Sequence, residues 1–167
     1  TCQDGGGTTV THTLALCNMS NPRAPEILRL FPVTASTSGA YDRPIISGGY
    51  AFYPVVVFNF MRFMVLDLKN YSATLTNPGT QSCGGGNTRA FIRGKYYINF
   101  GSSSTCVFDI SNPYNPVFVS TFTLPGGYTA GLLDATMNGD YLYEIMRQSA
   151  ASEIRVYDFT NPLTPRI

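Results

Sequence analysis

Short apolar runs alternate with polar turns along the chain. Four of these runs close on an Asn or Asp: Leu14-Ala15-Leu16-Cys17-Asn18, Met64-Val65-Leu66-Asp67, Cys106-Val107-Phe108-Asp109 and Arg155-Val156-Tyr157-Asp158. Three of the four lead into Asn-Pro-x-x-Pro: Asn21-Pro22-Arg23-Ala24-Pro25, Asn112-Pro113-Tyr114-Asn115-Pro116 and Asn161-Pro162-Leu163-Thr164-Pro165. In the remaining, degenerate copy Asn70 is followed by Tyr71 instead of proline. The anchors Asn18, Asp67, Asp109 and Asp158 stand 49, 42 and 49 residues apart. A period in the 40s is that of a four-stranded propeller blade.

A second series keeps the same period with unrelated chemistry. Gly48-Gly49-Tyr50, Gly94-Lys95-Tyr96 and Gly139-Asp140-Tyr141 each separate two apolar runs, and their glycines are 46 and 45 residues apart. Each triplet predicts a tight hairpin. For Asn138-Gly139 the expected turn is type I′, with positive φ at both residues. The Asn-Pro-x-x-Pro segments read as turns, because Pro fixes φ and pushes the residue before it toward extended backbone. The second Pro then opens a strand, and a strand opened by Pro belongs at a sheet edge. Repetition at one structural phase argues against a polyproline ligand for an SH3-type groove. No segment keeps an i, i+3, i+4 apolar pattern over three turns, so no helix is expected.

The expected fold is therefore all-β: a β-propeller of four-stranded antiparallel blades, of which this chain covers three to four. Blade one is partial over 1–33, blade two runs over about 44–78, blade three over about 88–125, and blade four over about 130–167 with its edge strand cut short. Four motif strands stand against three glycine hairpins, so the end blades are incomplete. The expectation is that residues 8–30 and 150–167 contact polypeptide outside this segment, from the same longer chain or a neighbouring subunit. The first residue is Thr1 and not Met, which leaves processing, a fragment or an incompletely known sequence open.

The motif strand with its Asp-[Ile/Phe]-[Ser/Thr]-Asn-Pro-x-x-Pro turn resembles the LVIVD repeat. The resemblance covers most of residues 14–167. It is strong at Cys106–Val119 and Ile154–Ile167, fair at Leu14–Leu28 and weak at Met64–Pro78. It implies a β-propeller of bacterial or archaeal surface or secreted proteins. It brings no catalytic residues with it.

Composition narrows the class of function. Of 167 residues, 44% are hydrophobic and only 13% charged, about half the usual ~25%. The net charge is +1, with nine Arg, two Lys, seven Asp and three Glu, so the field that nucleic acid or an anionic membrane would need is absent. The most apolar stretch, Val55–Leu68, is cut by Asn59 and Arg62 and falls short of the ~20 residues of a membrane span. A surface rich in Thr, Ser, Asn and Tyr suits an extracellular or cell-surface protein, or a virion.

Candidate chemistry is sparse. Cys2, Cys17, Cys83 and Cys106 allow three pairings. The Gly-rich stretches after Cys2 and Cys83 each precede a motif-strand cysteine, a parallel that favours Cys2–Cys17 and Cys83–Cys106 over four buried thiols. No cysteine pair has zinc-knuckle spacing, and His12 is the sole His. Gly5–Gly7 and Gly84–Gly86 lack the Gly-Lys-Ser/Thr of a phosphate loop. Asp67, Asp109 and Asp158 share one repeat position, which points to capping of the turn that follows. Asp134, Asn138 and Asp140 resemble a cation loop, but no bidentate Glu stands at position twelve. No Ser lies in a nucleophile elbow to work with His12. Gly48, Gly94 and Gly139 complete the structural set, and no cofactor or metal is implied. Tyr50, Phe52, Tyr53, Tyr96, Tyr97, Tyr141 and Tyr143 are expected between blades, and any tyrosine left exposed offers contacts to protein or a surface glycan.

These observations rank three functions. The first is a non-catalytic extracellular scaffold for binding, adhesion or assembly. The second is a structural protein of a virion or other extracellular assembly. The third, a propeller hydrolase such as a lactonase, is disfavoured by the scarcity of His and carboxylates.

Overall fold

A computed structural model of the protein describes residues 9–36, 43–57, 60–78, 83, 89–100, 104–123, 132–147 and 152–167. Among them every regular element is a strand, and all pairings are antiparallel. Sheet one pairs β1 (Thr9–Asn18) with β2 (Glu26–Ser36). Sheet two is a meander of β3 (Ile45–Ser47), β4 (Tyr50–Val57), β5 (Phe60–Asp67) and β6 (Ser72–Thr76). Sheet three repeats it with β7 (Arg89–Arg93), β8 (Tyr96–Phe100), β9 (Thr105–Asp109) and β10 (Val117–Phe122). Sheet four holds β11 (Leu132–Asn138), β12 (Tyr141–Arg147) and β13 (Ser152–Asp158), and a single bridge from Asp158 to Arg166 marks where a fourth strand would lie.

Prolines mark the edges. Pro25 and Pro116 immediately precede β2 and β10, and both strands lie at the edge of their sheets. Pro54 sits inside β4, a central strand, yet costs no bond there. Ser47 and Tyr50 close a two-residue hairpin, so Tyr50, Phe52 and Pro54 turn their backbone groups toward β3. The β3 pairing ends at Phe52, so no strand waits for the N–H that Pro54 lacks.

The sheets pack face to face in chain order, with one apolar layer per junction. Leu14, Leu16 and Phe31 of sheet one meet Ala51, Tyr53, Val55, Met64 and Leu66 of sheet two. Phe52, Met61, Phe63 and Val65 of sheet two meet Ala90, Tyr97, Cys106 and Phe108 of sheet three. Ile98, Phe100 and Val107 of sheet three meet Ala135, Leu142, Tyr157 and Phe159 of sheet four. Alternation along each strand thus feeds one face to the preceding sheet and the other to the following one. Two of the expected interior tyrosines are corrected. Tyr141 and Tyr143 are exposed, because they lie on the face of sheet four that no described element covers.

Candidate functional site

Both periodic series meet at one end of each sheet. In the register, Tyr50 lies opposite Asp67, Tyr96 opposite Asp109, and Tyr141 opposite Asp158. The residue after each Asp donates its backbone N–H to the second residue of the hairpin: Leu68 to Gly49 at 3.0 Å, Ile110 to Lys95 at 2.8 Å and Phe159 to Asp140 at 2.6 Å. This shared bond explains why glycine turn and acidic anchor repeat together. Gly48, Gly94 and Gly139 all have positive φ, at 58°, 56° and 60°. The Asn138-Gly139 assignment shifts by one residue. Asn138 pairs with Tyr141, which leaves Gly139 and Asp140 as the loop. With positive φ at Gly139 and not at Asp140, the turn is of type II′, which needs glycine only first. Of the three glycine hairpins, Gly48-Gly49, with φ of 58° and 83°, has the I′ pattern.

The anchors cap the turns that follow. Asn18, Asp67, Asp109 and Asp158 accept from the N–H two residues on, at Ser20 (3.0 Å), Lys69 (2.9 Å), Ser111 (2.8 Å) and Thr160 (2.8 Å). The Asn of each Asn-Pro repeats the trick: Asn21, Asn112 and Asn161 accept from Arg23, Tyr114 and Leu163 at 3.1–3.2 Å. The degenerate copy departs because Tyr71 sits at φ 51°, which proline cannot reach. Four residues connect β5 to β6, where seven connect β9 to β10.

Sheets two and three are stitched across their turns. Tyr114, from the Asn-Pro-Tyr-Asn-Pro loop, donates its hydroxyl to Asp67 Oδ2 at 2.6 Å and sets its ring edge-on to Tyr50, centroids 5.5 Å apart. That bond, with those from Asn70 and Lys69, holds the Asp67 carboxyl at about 2. The acceptor raises the Tyr114 hydroxyl in turn. Asp109 is held at about 2 chiefly by Lys95, whose Nζ lies 2.7 Å away. Thr160 lowers Asp158.

A cleft of about 530 Å³ opens between Arg43–Ile46, Ala90–Arg93 of β7, and Met137 and Gly139 of sheet four. Two ion pairs stand beside it. Arg89 pairs with Asp134 at 3.0 Å and lowers its carboxyl, while Arg93 pairs with Asp140. These two pairs tie β7 to the β11 hairpin. Among the described residues no three His, Cys, Asp or Glu converge in a way that would hold a metal.

Cys83 and Cys106 form a disulfide with Cα atoms 5.7 Å apart, buried between sheets two and three. Cys17 is exposed, and the expected Cys2–Cys17 bridge involves Cys2, which lies outside the described residues. Glu144, unremarkable in the sequence, is 1% exposed at the junction of sheets three and four. Its Oε2 accepts from Tyr157 at 3.1 Å and its Oε1 has no hydrogen bond among the described residues. Burial pushes the carboxyl up and the Tyr157 hydroxyl to about 12. Counting from the hairpin glycines places Tyr53, Asn99 and Glu144 at one repeat position, a signal by which the sequence could have revealed it.

No family model matches the chain, and no curated protein is significantly similar to it. The geometry therefore speaks for itself. Asp67, Asp109 and Asp158 sit in turn caps, and Asp134 and Asp140 in ion pairs that join sheets.

Proposed function

We propose that the chain is part of a non-catalytic extracellular β-propeller, of the kind the LVIVD repeat resembles, serving as a scaffold for binding, adhesion or assembly. The observation that carries the reading is the convergence of β3, β7 and β11, the inner strands of the proposed blades. β3 and β11 each touch β7 around the shared cleft, and the apolar layers follow one another in chain order. That is how blades lie about an axis. The Cys83–Cys106 disulfide suits an oxidising compartment.

A structural role in a virion or other extracellular assembly is a second use of the same scaffold, favoured by the uncovered apolar face of sheet four. Labelling intact cells or particles of the native source with an antibody to the chain tests the location. Surface labelling, with Cys83 and Cys106 oxidised, supports the reading. A cytosolic protein with both thiols reduced contradicts it. Turnover of lactone or glycoside substrates above the uncatalysed rate would favour a hydrolase instead.

A further inference from the structure

The repeat says what should cover the exposed face of sheet four. Four residues past each hairpin glycine and two before each Asp stand Phe52 and Val65 in sheet two, Ile98 and Val107 in sheet three, and Tyr143 and Val156 in sheet four. Each pair is directly opposed across its sheet. The first two pairs are buried against the next sheet in the chain. Tyr143 and Val156 hold the same place at 37% and 43% exposure, beside the opposed Ile145 and Ile154.

Sheet one leaves open the complementary face. One residue before each anchor, Leu66, Phe108 and Tyr157 are buried against the preceding sheet. The equivalent residue in sheet one is Cys17, which is exposed. Opposite Phe108 in sheet three lies Phe118, packed on the same layer; opposite Cys17 lies Ile27, 60% exposed. Leu30, opposite Ala15, continues this face at 55% exposure. Among the described residues, sheets one and four thus present two different apolar faces that match each other as neighbouring sheets do.

We infer that the outer face of sheet four docks on the outer face of sheet one of a second copy of this chain, head to tail. Unlike faces give a heterologous contact, which closes into a ring when the rotation allows. Two copies bring eight sheets together, within the ~4–8 blades at which propellers close. Single-sheet propagation without closure would leave such faces in water, the usual mark of an interaction site.

The inference rests on the propeller reading, and the two fail separately. Weigh the chain in solution by light scattering, then weigh Val156→Asp and Leu30→Asp alone and mixed. Both substitutions fall on exposed side chains, so folding is retained, and circular dichroism checks it. The expected wild-type mass is twice 18.2 kDa. Each variant alone should be a monomer, and the mixture should regain a dimer through the one junction still intact. Larger open assemblies lost in both variants support the paired faces and overturn the two-copy ring. A wild-type monomer, a variant that still dimerises alone, or a mixture that stays monomeric overturns the docking. In each of these cases, sheets that still fan about one axis leave the propeller reading standing.

Discussion

The junction of sheets two and three and that of sheets three and four use the same repeat positions and different chemistry. At the first, Phe63 lies edge-on to Phe52, Tyr97 and Phe108 with centroids 4.6–6.4 Å apart, the disulfide is buried in the same layer, and the Asp67–Tyr114 bond closes the turn end. At the second, Phe100 meets Phe159 at 5.6 Å, but the layer also takes in the buried Glu144 and Tyr157, and two ion pairs tie β7 to the β11 hairpin. The repeat dictates backbone turns and alternation, and leaves each junction free to be apolar and cross-linked or polar and sensitive to protons.

Breaking the first junction should cost most. Phe63→Ala removes a ring with no solvent exposure from the centre of the aromatic cluster, and the expected loss is about 3–5 kcal/mol by denaturant unfolding. Replacing Cys83 and Cys106 together by Ala should lose about 2–4 kcal/mol, since their bond closes a loop 23 residues apart in sequence.

Acid acts with opposite sign on the capping aspartates and on Glu144. Asp67 and Asp109 are held at about 2 against an ordinary 3.8, so the unfolded chain binds the proton first. Their contribution is complete above pH 3.8 and is lost as pH falls through about 2. Glu144 is raised by burial, so the folded state binds the proton first. Its charged form costs stability at neutral pH, and that cost fades as pH falls through the raised value. Glu144→Gln should therefore stabilise the protein at pH 7 by about 1 kcal/mol and flatten stability against pH on the mildly acidic side. A destabilised, equally pH-dependent variant would sink this assignment.

The smallest effect belongs to the turns. Gly139→Val puts a β-branched residue at φ 60° and should cost roughly 1 kcal/mol in thermal or denaturant unfolding.

What the sequence disclosed was whatever the backbone demands locally. Gly48, Gly94 and Gly139 are needed for positive φ, Asp67, Asp109 and Asp158 for caps, and Pro25 and Pro116 for edge strands. Each demand is written within a few residues. The exact loop of Gly139-Asp140 was misread because Asn-Gly also fits a type I′ turn, and only the Asn138–Tyr141 register decides. The Tyr114–Asp67 bond and the Arg89–Asp134 pair join residues 47 and 45 positions apart, so they exist only once sheets pack. Glu144 was legible in principle, through its shared repeat position with Asn99.

The central claim is that the sheets fan outward from an axis along the inner strands. Spin labels on exposed residues test it by pulsed dipolar spectroscopy. One pair joins Ile46 of β3 to Asn138 of β11, and the other joins Thr74 of β6 to Thr164 in the last turn of sheet four. The inner pair should lie much closer than the outer pair, with one narrow distribution for each. Equal separations would mean flat, parallel layers and would contradict a propeller.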